Sequence, residues 1–245
     1  MKRILIFLAV ICLLIPVSMG MGRNDETQET AIQTGSRQKP VSAEECLSVG
    51  TGLVEVDYLY ETMEQKLGDS DYAVYCEVVD YGFYVDGTYI YTLEKVRVLE
   101  PLYGDITAGK ELTVYKGGGY MIAKDYIHYS YDNEEDRIRE RNSKLFSGCS
   151  DEELETKFIG MIPEGYFSPE IGERKILFLY RSENFEDTYE LTGGSIQGEI
   201  NEITDGQLKS YSFHNELEDP EILEKIQTIP LEEYKQWIKE ARSHL

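Results

Sequence analysis

The sequence predicts a mainly β domain with helical additions: a single five-stranded Greek-key barrel carrying a helical insertion and a C-terminal helix. Val- and Tyr-rich alternating segments recur on both sides of a charged, helix-like stretch, and Asp86-Gly87 and Asp205-Gly206 supply hairpin signals between neighbouring segments. No internal repeat period is present, which points to one domain of about 200 residues.

Residues 1–20 read as an export signal, because Lys2 and Arg3 precede an apolar run from Ile4 to Val17 that ends on Ser18 and Gly20. As a helix, that run falls short of a hydrocarbon core about 30 Å thick. Cleavage after Gly20 is expected, with no membrane span afterwards and a location outside the cell or on the extracellular face of the envelope. Residues 21–44 are polar and aperiodic, as in a disordered tether, and the barrel domain is expected over residues 45–245.

Within that domain, Leu59, Met63 and Leu67 follow helical spacing, with Asp57 as N-cap and Gly68 as the stop. Residues 72–86 alternate as a strand that places Val74, Cys76 and Val78 on one face. A second strand, residues 88–100, shifts its apolar phase between Tyr91/Leu93 and Val96/Val98, and a β-bulge there would restore the register. A turn containing Gly104 and Gly109 leads to a third strand at residues 111–115. Residues 132–157 read as the helical insertion, with Ser150 and Glu153 forming a capping box before Leu154. The segment 174–181 is apolar on both faces and should be the most buried strand, bringing Ile176 and Phe178 together with Val74 and Val78 in the barrel core. Extended segments TYELT, QGEINEI and QLKSYSF follow. Pro230 then starts a helix, about residues 230–243, with Leu231, Tyr234, Trp237, Ile238 and Ala241 on its apolar face.

Three strands, a helical segment and further strands is the chain order of an OB-like barrel of the oligonucleotide/oligosaccharide-binding type. The segments DSDYAVYCEVVD, YTLEKVRVLEPLYGD, GKELTVYKGGGY, GERKILFLY and LTGGSIQGEI resemble a family of uncharacterised secreted proteins of Gram-positive bacteria. That family is itself similar in layout to the netrin/tissue-inhibitor-of-metalloproteinase-like barrel. The resemblance implies a fold and no enzymatic mechanism, and the chain departs from the netrin-like pattern by lacking its N-terminal cysteine framework.

Charge narrows the choice of partner. Without Lys2 and Arg3, 22 basic residues face 46 acidic ones, a formal charge of −24. So acidic a surface repels phosphate backbones, which excludes nucleic acid as a partner. Cys12 lies inside the apolar run after Ile11, a poor setting for lipid attachment. Cys46 and Cys149 fall in loop-like sequence and could form a disulfide, whereas Cys76 has strand spacing. No CxxC pair, HExxH motif or EF-hand order suggests a metal, and neither GGGY at 117–120 nor GGSIQG at 193–198 meets the spacing of a phosphate loop or a nucleophile elbow. His128, His214 and His244 lack partner motifs, and the acidic run 132–140 reads as a solvated helix face. No cofactor is expected.

These observations favour a non-catalytic binding domain at the cell envelope, with a protein or a neutral glycan as partner. Tyr89, Tyr91, Tyr115 and Tyr120 on the second and third strands and the adjoining rim are the candidate binding residues, since tyrosine offers an apolar ring with a polar tip. Two alternatives stand beside this reading: a carboxylate-dependent extracellular hydrolase, and a structural spacer or assembly module.

Overall fold

A computed structural model of the chain describes residues 41, 43–50, 60–163, 166, 168–183, 185–204, 206–209 and 228–245. The expected export signal, nearly all of the expected tether, Asp57, Leu59, Asp205, His214 and most of QLKSYSF lie outside the described residues. A 3-10 turn at Ala43–Glu45 opens into β1 (Cys46–Gly50), and α1 (Met63–Gly68) precedes the long strands β2 (Tyr72–Asp86) and β3 (Tyr89–Tyr103). Next come β4 (Glu111–Gly117), β5 (Gly119–Ile122) and the short helices α2 (Ala123–Tyr129), α3 (Glu134–Arg141) and α4 (Asp151–Thr156). The remainder is β6 (Phe158–Met161), β7 (Arg174–Arg181), β8 (Thr188–Leu191), α5 (Gly194–Gly198), β9 (Glu199–Thr204), β10 (Gln207–Lys209), β11 (Thr228–Pro230) and α6 (Leu231–Arg242).

The fold is mainly β with a C-terminal helix, but its principal sheet has eight strands where five were expected. Their order is β11-β10-β9-β7-β2-β3-β4-β8, and a second sheet of three strands runs β1-β6-β5. The first half of β7 pairs with β9 and its second half with β8, while β8 also lies parallel to β4. The pairings β7, β2, β3, β4 and β8 therefore lead back to β7. The three strands beyond this ring arise because the chain leaves β8 through α5 and returns to pair with β7 as β9.

Side-chain alternation on these strands separates two apolar layers. Val74, Cys76, Val78, Val96, Val98, Leu112, Val114, Leu177 and Leu179 share one buried cluster. Ile176 and Phe178 point the other way, to a second cluster with Leu67, Ala73, Tyr75, Ile200, Leu208 and the α6 residues Leu231, Tyr234, Ile238 and Ala241. The expectation that Ile176 and Phe178 share a core with Val74 and Val78 is thus corrected: β7 is buried on both faces because α6 covers the outer one. Trp237 lies at the margin of that contact, 41% exposed.

Several local readings are also revised. The helix α1 is capped by Thr62, whose side chain accepts from the Gln65 backbone while Gln65 reaches back to the cap. The insertion begins at Ala123, well before residue 132, although the Ser150–Glu153 capping box forms as expected. The anticipated bulge between Leu93 and Val96 is absent. Ile90, Thr92, Glu94, Val96 and Val98 are all buried in one unbroken alternation, and the register steps at Val79 on β2 and at Leu99 and Leu102 on β3. Polar residues occupy interior positions where apolar ones were assumed.

Candidate functional site

Two polar or aromatic assemblies stand out, one on the outer face of β2, β3 and β4 and one inside. On the outer face, β2 and β3 form a hairpin that places Tyr84 opposite Tyr91, with Gly87 in the tight turn at φ +58°. Tyr91 faces Gly117 across the β3–β4 ladder, and Tyr115 faces Leu93. Because Gly117 has no side chain, the Tyr115 ring can lean into the space beside Tyr91, and the two stack at 4.6 Å between centroids. Tyr89 lies 6.3 Å from Tyr91 and is 60% exposed. Phe185, from the loop between β7 and β8, closes the group at 4.6 Å from Tyr115 and 6.0 Å from Tyr84.

The strip therefore unites three of the four expected residues, Tyr89, Tyr91 and Tyr115. Tyr120 is elsewhere: on β5 it packs edge-on against Phe83 at 6.2 Å, beside the inner cluster. Tyr84 and Phe185 were not anticipated. Tyr84 was legible as the outward neighbour of Tyr91 across the hairpin, whereas nothing in a polar loop marks Phe185. Burial pushes the Tyr115 phenol up, and the nearby Tyr91, Tyr84 and Asp86 groups further oppose its ionisation, so this hydroxyl is neutral at physiological pH.

Inside, two lysines and two glutamates meet with almost no exposure. Lys175 Nζ on β7 lies 2.6 Å from Glu199 Oε1 on β9, 3.2 Å from Glu173 Oε2 and 3.4 Å from Glu94 Oε2 on β3. Lys116 on β4 pairs with Glu94 and lies 3.0 Å from Glu199 Oε2. With its nitrogen toward the acids, the Asn201 amide donates to Glu199 Oε1 at 3.3 Å and Glu173 Oε1 at 3.1 Å. Burial alone would lower the Lys175 ammonium, but Glu199, Glu94 and Glu173 hold it well above the ordinary lysine value. Burial likewise opposes ionisation of Glu94, yet Lys116 and Lys175 outweigh it and hold that carboxyl below its usual range. For Glu173, burial and the other acids prevail and its carboxyl is raised.

The cluster is flanked by a turn at Gly118 and Gly119, both of which hold positive φ. Thr92 Oγ1 lies 2.7 Å from the Gly118 carbonyl and 2.8 Å from the Tyr166 hydroxyl, and the Tyr166 ring covers Lys116 Nζ at 5.2 Å. A Cβ on Gly119, at φ +147°, would meet the Phe83 ring at 2.6 Å and Thr92 Oγ1 at 2.9 Å. These carboxylates are therefore occupied by lysines and closed from solvent, an arrangement that holds strands together.

The remaining candidates are dispersed. Cys46, Cys76 and Cys149 retain their thiols, so the Cys46–Cys149 disulfide that the sequence allowed is not formed: Cys46 lies toward Tyr120, while Cys149 Sγ faces the Leu145 carbonyl at 3.8 Å. His128 is exposed on α2 with its ring 4.8 Å from Tyr129. Among the described residues, no group of three or more His, Cys, Asp and Glu is placed to hold a metal, and no helix is long and apolar enough to cross a membrane. No protein-family model matches this chain, and no curated protein matches it.

Proposed function

We propose that the chain is an exported, non-catalytic binding domain of the cell envelope and that Tyr84, Tyr89, Tyr91, Tyr115 and Phe185 form its binding face. The observation that carries this reading is the gathering of five aromatic rings on an outer strand face, one of them largely exposed. Aromatic rings in such a setting supply contact area at low conformational cost, and tyrosine adds a hydroxyl that stays hydrogen-bonded at a wet interface.

The fold reading belongs to the same proposal. The ring β2-β3-β4-β8-β7, with β4 and β8 parallel, its other pairings antiparallel and helices inserted between β4 and β7, supports an OB-like barrel. Barrels of that kind engage ligands on the face of their second and third strands. Those strands correspond to β3 and β4 here, which carry Tyr89, Tyr91 and Tyr115. The resemblance to secreted Gram-positive proteins and the Lys2–Gly20 leader support an extracellular location.

The test uses the immobilised chain and solubilised Gram-positive envelope material. Tyr89→Ser/Tyr91→Ser should lose whatever the parent retains while its thermal unfolding stays unchanged. Undiminished retention would exclude this face, and turnover of a glycoside- or peptide-hydrolase substrate panel by the purified chain would overturn the non-catalytic reading.

A further inference from the structure

We infer that the partner of the tyrosine face is a basic polypeptide segment, a conclusion that rests on the binding role proposed for that face. Ring geometry supplies the first argument. Tyr91 and Tyr115 stack on each other with planes only 23° apart, and Phe185 lies 4.6 Å from Tyr115. Their faces are largely taken up by one another, so edges and hydroxyls are what the strip offers. A sugar needs a broad open aromatic platform to stack on, whereas a polypeptide can hydrogen-bond to the hydroxyls and set a single ammonium or guanidinium group over the one open ring, Tyr89 at 60% exposure.

Charge supplies the second. Asp86 is exposed at the hairpin tip beside Tyr84, and Glu183, Glu186 and Asp187 are exposed in the loop that carries Phe185. Asp187 holds φ +55°, a left-handed conformation that fixes the turn behind Phe185. The nearest basic residue, Arg181 at the end of β7, is engaged with the Tyr189 hydroxyl and also feels Asp187, which leaves Asp86, Glu183 and Glu186 as the outward charges. Farther along the same strand face, Lys95 and Arg97 are both paired with Glu111, at 2.8 and 3.3 Å. The aromatic strip is thus bordered by exposed carboxylates at the hairpin tip and the Phe185 loop, while the cations farther along the face share the Glu111 carboxylate. A second copy of this acidic chain would be repelled, while lysine and arginine side chains could cover the exposed Tyr89 ring and reach the carboxylates.

The experiment measures binding of a labelled peptide of alternating lysine and glycine to the full chain by fluorescence anisotropy, with a chitin oligosaccharide as the neutral probe. Tyr89→Ser/Tyr91→Ser leaves the net charge unchanged and should weaken peptide binding by about tenfold or more. Glu183→Gln/Glu186→Gln/Asp187→Asn should also weaken it by about tenfold at low salt, whereas Glu134→Gln/Glu135→Gln/Glu152→Gln, an equal charge change on the helical insertion, should have a much smaller effect. Equal losses from the two triple variants would show attraction by net charge alone and overturn the inference. Binding of the oligosaccharide but not the peptide, abolished by the tyrosine substitutions, would reject the basic partner while leaving the binding face standing. If the tyrosine substitutions leave the binding of both probes unaltered, the inference and the assignment of the face fail together.

Discussion

Replacing Lys175 by methionine removes one of the two cations from the interior cluster while keeping a side chain of similar length. Lys175 has no exposure and lies 2.6 to 3.4 Å from three carboxylates, so the variant leaves Glu94 and Glu199 sharing Lys116 alone. Breaking a buried ion pair by removing one partner costs about 3–5 kcal/mol. For a domain of this size that corresponds to a drop in Tm of roughly 6–20 °C. The companion variant Lys175→Met/Glu199→Gln restores the balance of charge and should recover at least half of the loss. Proton linkage gives a second reading of the same effect. The surplus buried acid in the single variant has a folded-state pKa above its unfolded value, so the folded state binds more protons and stability must fall as pH rises through the carboxylate range. The parent contains the opposite case, because Glu94 is held low and its contribution is lost as pH falls through that depressed value. Urea unfolding followed by circular dichroism at several pH values measures both. A loss below about 1 kcal/mol in the single variant, or a double variant no more stable than the single, would refute the view that charge balance holds the interior together.

Lys66 offers a contrasting test. Burial lowers its pKa to about 8, and its Nζ lies 2.9 Å from the Gln197 carbonyl and 4.7 Å from the Phe178 ring centroid. Holding the charge against burial costs about 3 kcal/mol at neutral pH, partly offset by those contacts. Lys66→Met should therefore raise stability by about 1–2 kcal/mol at pH 7. The parent should gain on this variant between about pH 8 and 10.5, because its unfolded state then binds more protons at this site than the folded one; urea midpoints across that range check the sign. Phe178→Ala should cost about 3–5 kcal/mol and loosen α6, since Phe178 packs against Tyr234 at 6.5 Å between ring centroids. Trp237 fluorescence reports whether the helix detaches.

The long hairpin was legible because its signals are local: alternation over residues 72–86 and a glycine where the turn needs a positive φ. The interior was misread because a hydrophobic pattern assumes that inward positions are apolar. Glu94 and Lys116 pair across strands, Thr92 bonds to the Gly118 carbonyl and the Tyr166 hydroxyl, and the further partners Glu199 and Lys175 lie far away in sequence, so this inward alternation looked like a shifted phase. The cap of α1 could have been found, since Thr62 and Gln65 have capping-box spacing. Tyr89, Tyr91 and Tyr115 share the outer face because strand periodicity and adjacent register place them there. Tyr120 follows the Gly118–Gly119 turn, which redirects the chain into another sheet, and a run of glycines does not reveal which way it will turn.

The ion cluster also bears on the order in which the molecule can form. Glu94 and Lys175 are 81 residues apart, and Lys116 and Glu199 are 83 apart. On a ribosome, Glu94 and Lys116 are made long before the β7 and β9 groups that complete their network. Until those strands arrive, the β2–β3–β4 meander has two opposite charges on the face it would bury and only part of their eventual coordination. Early collapse of that face would leave ionised groups incompletely satisfied, so these residues favour delaying closure until the late strands can join.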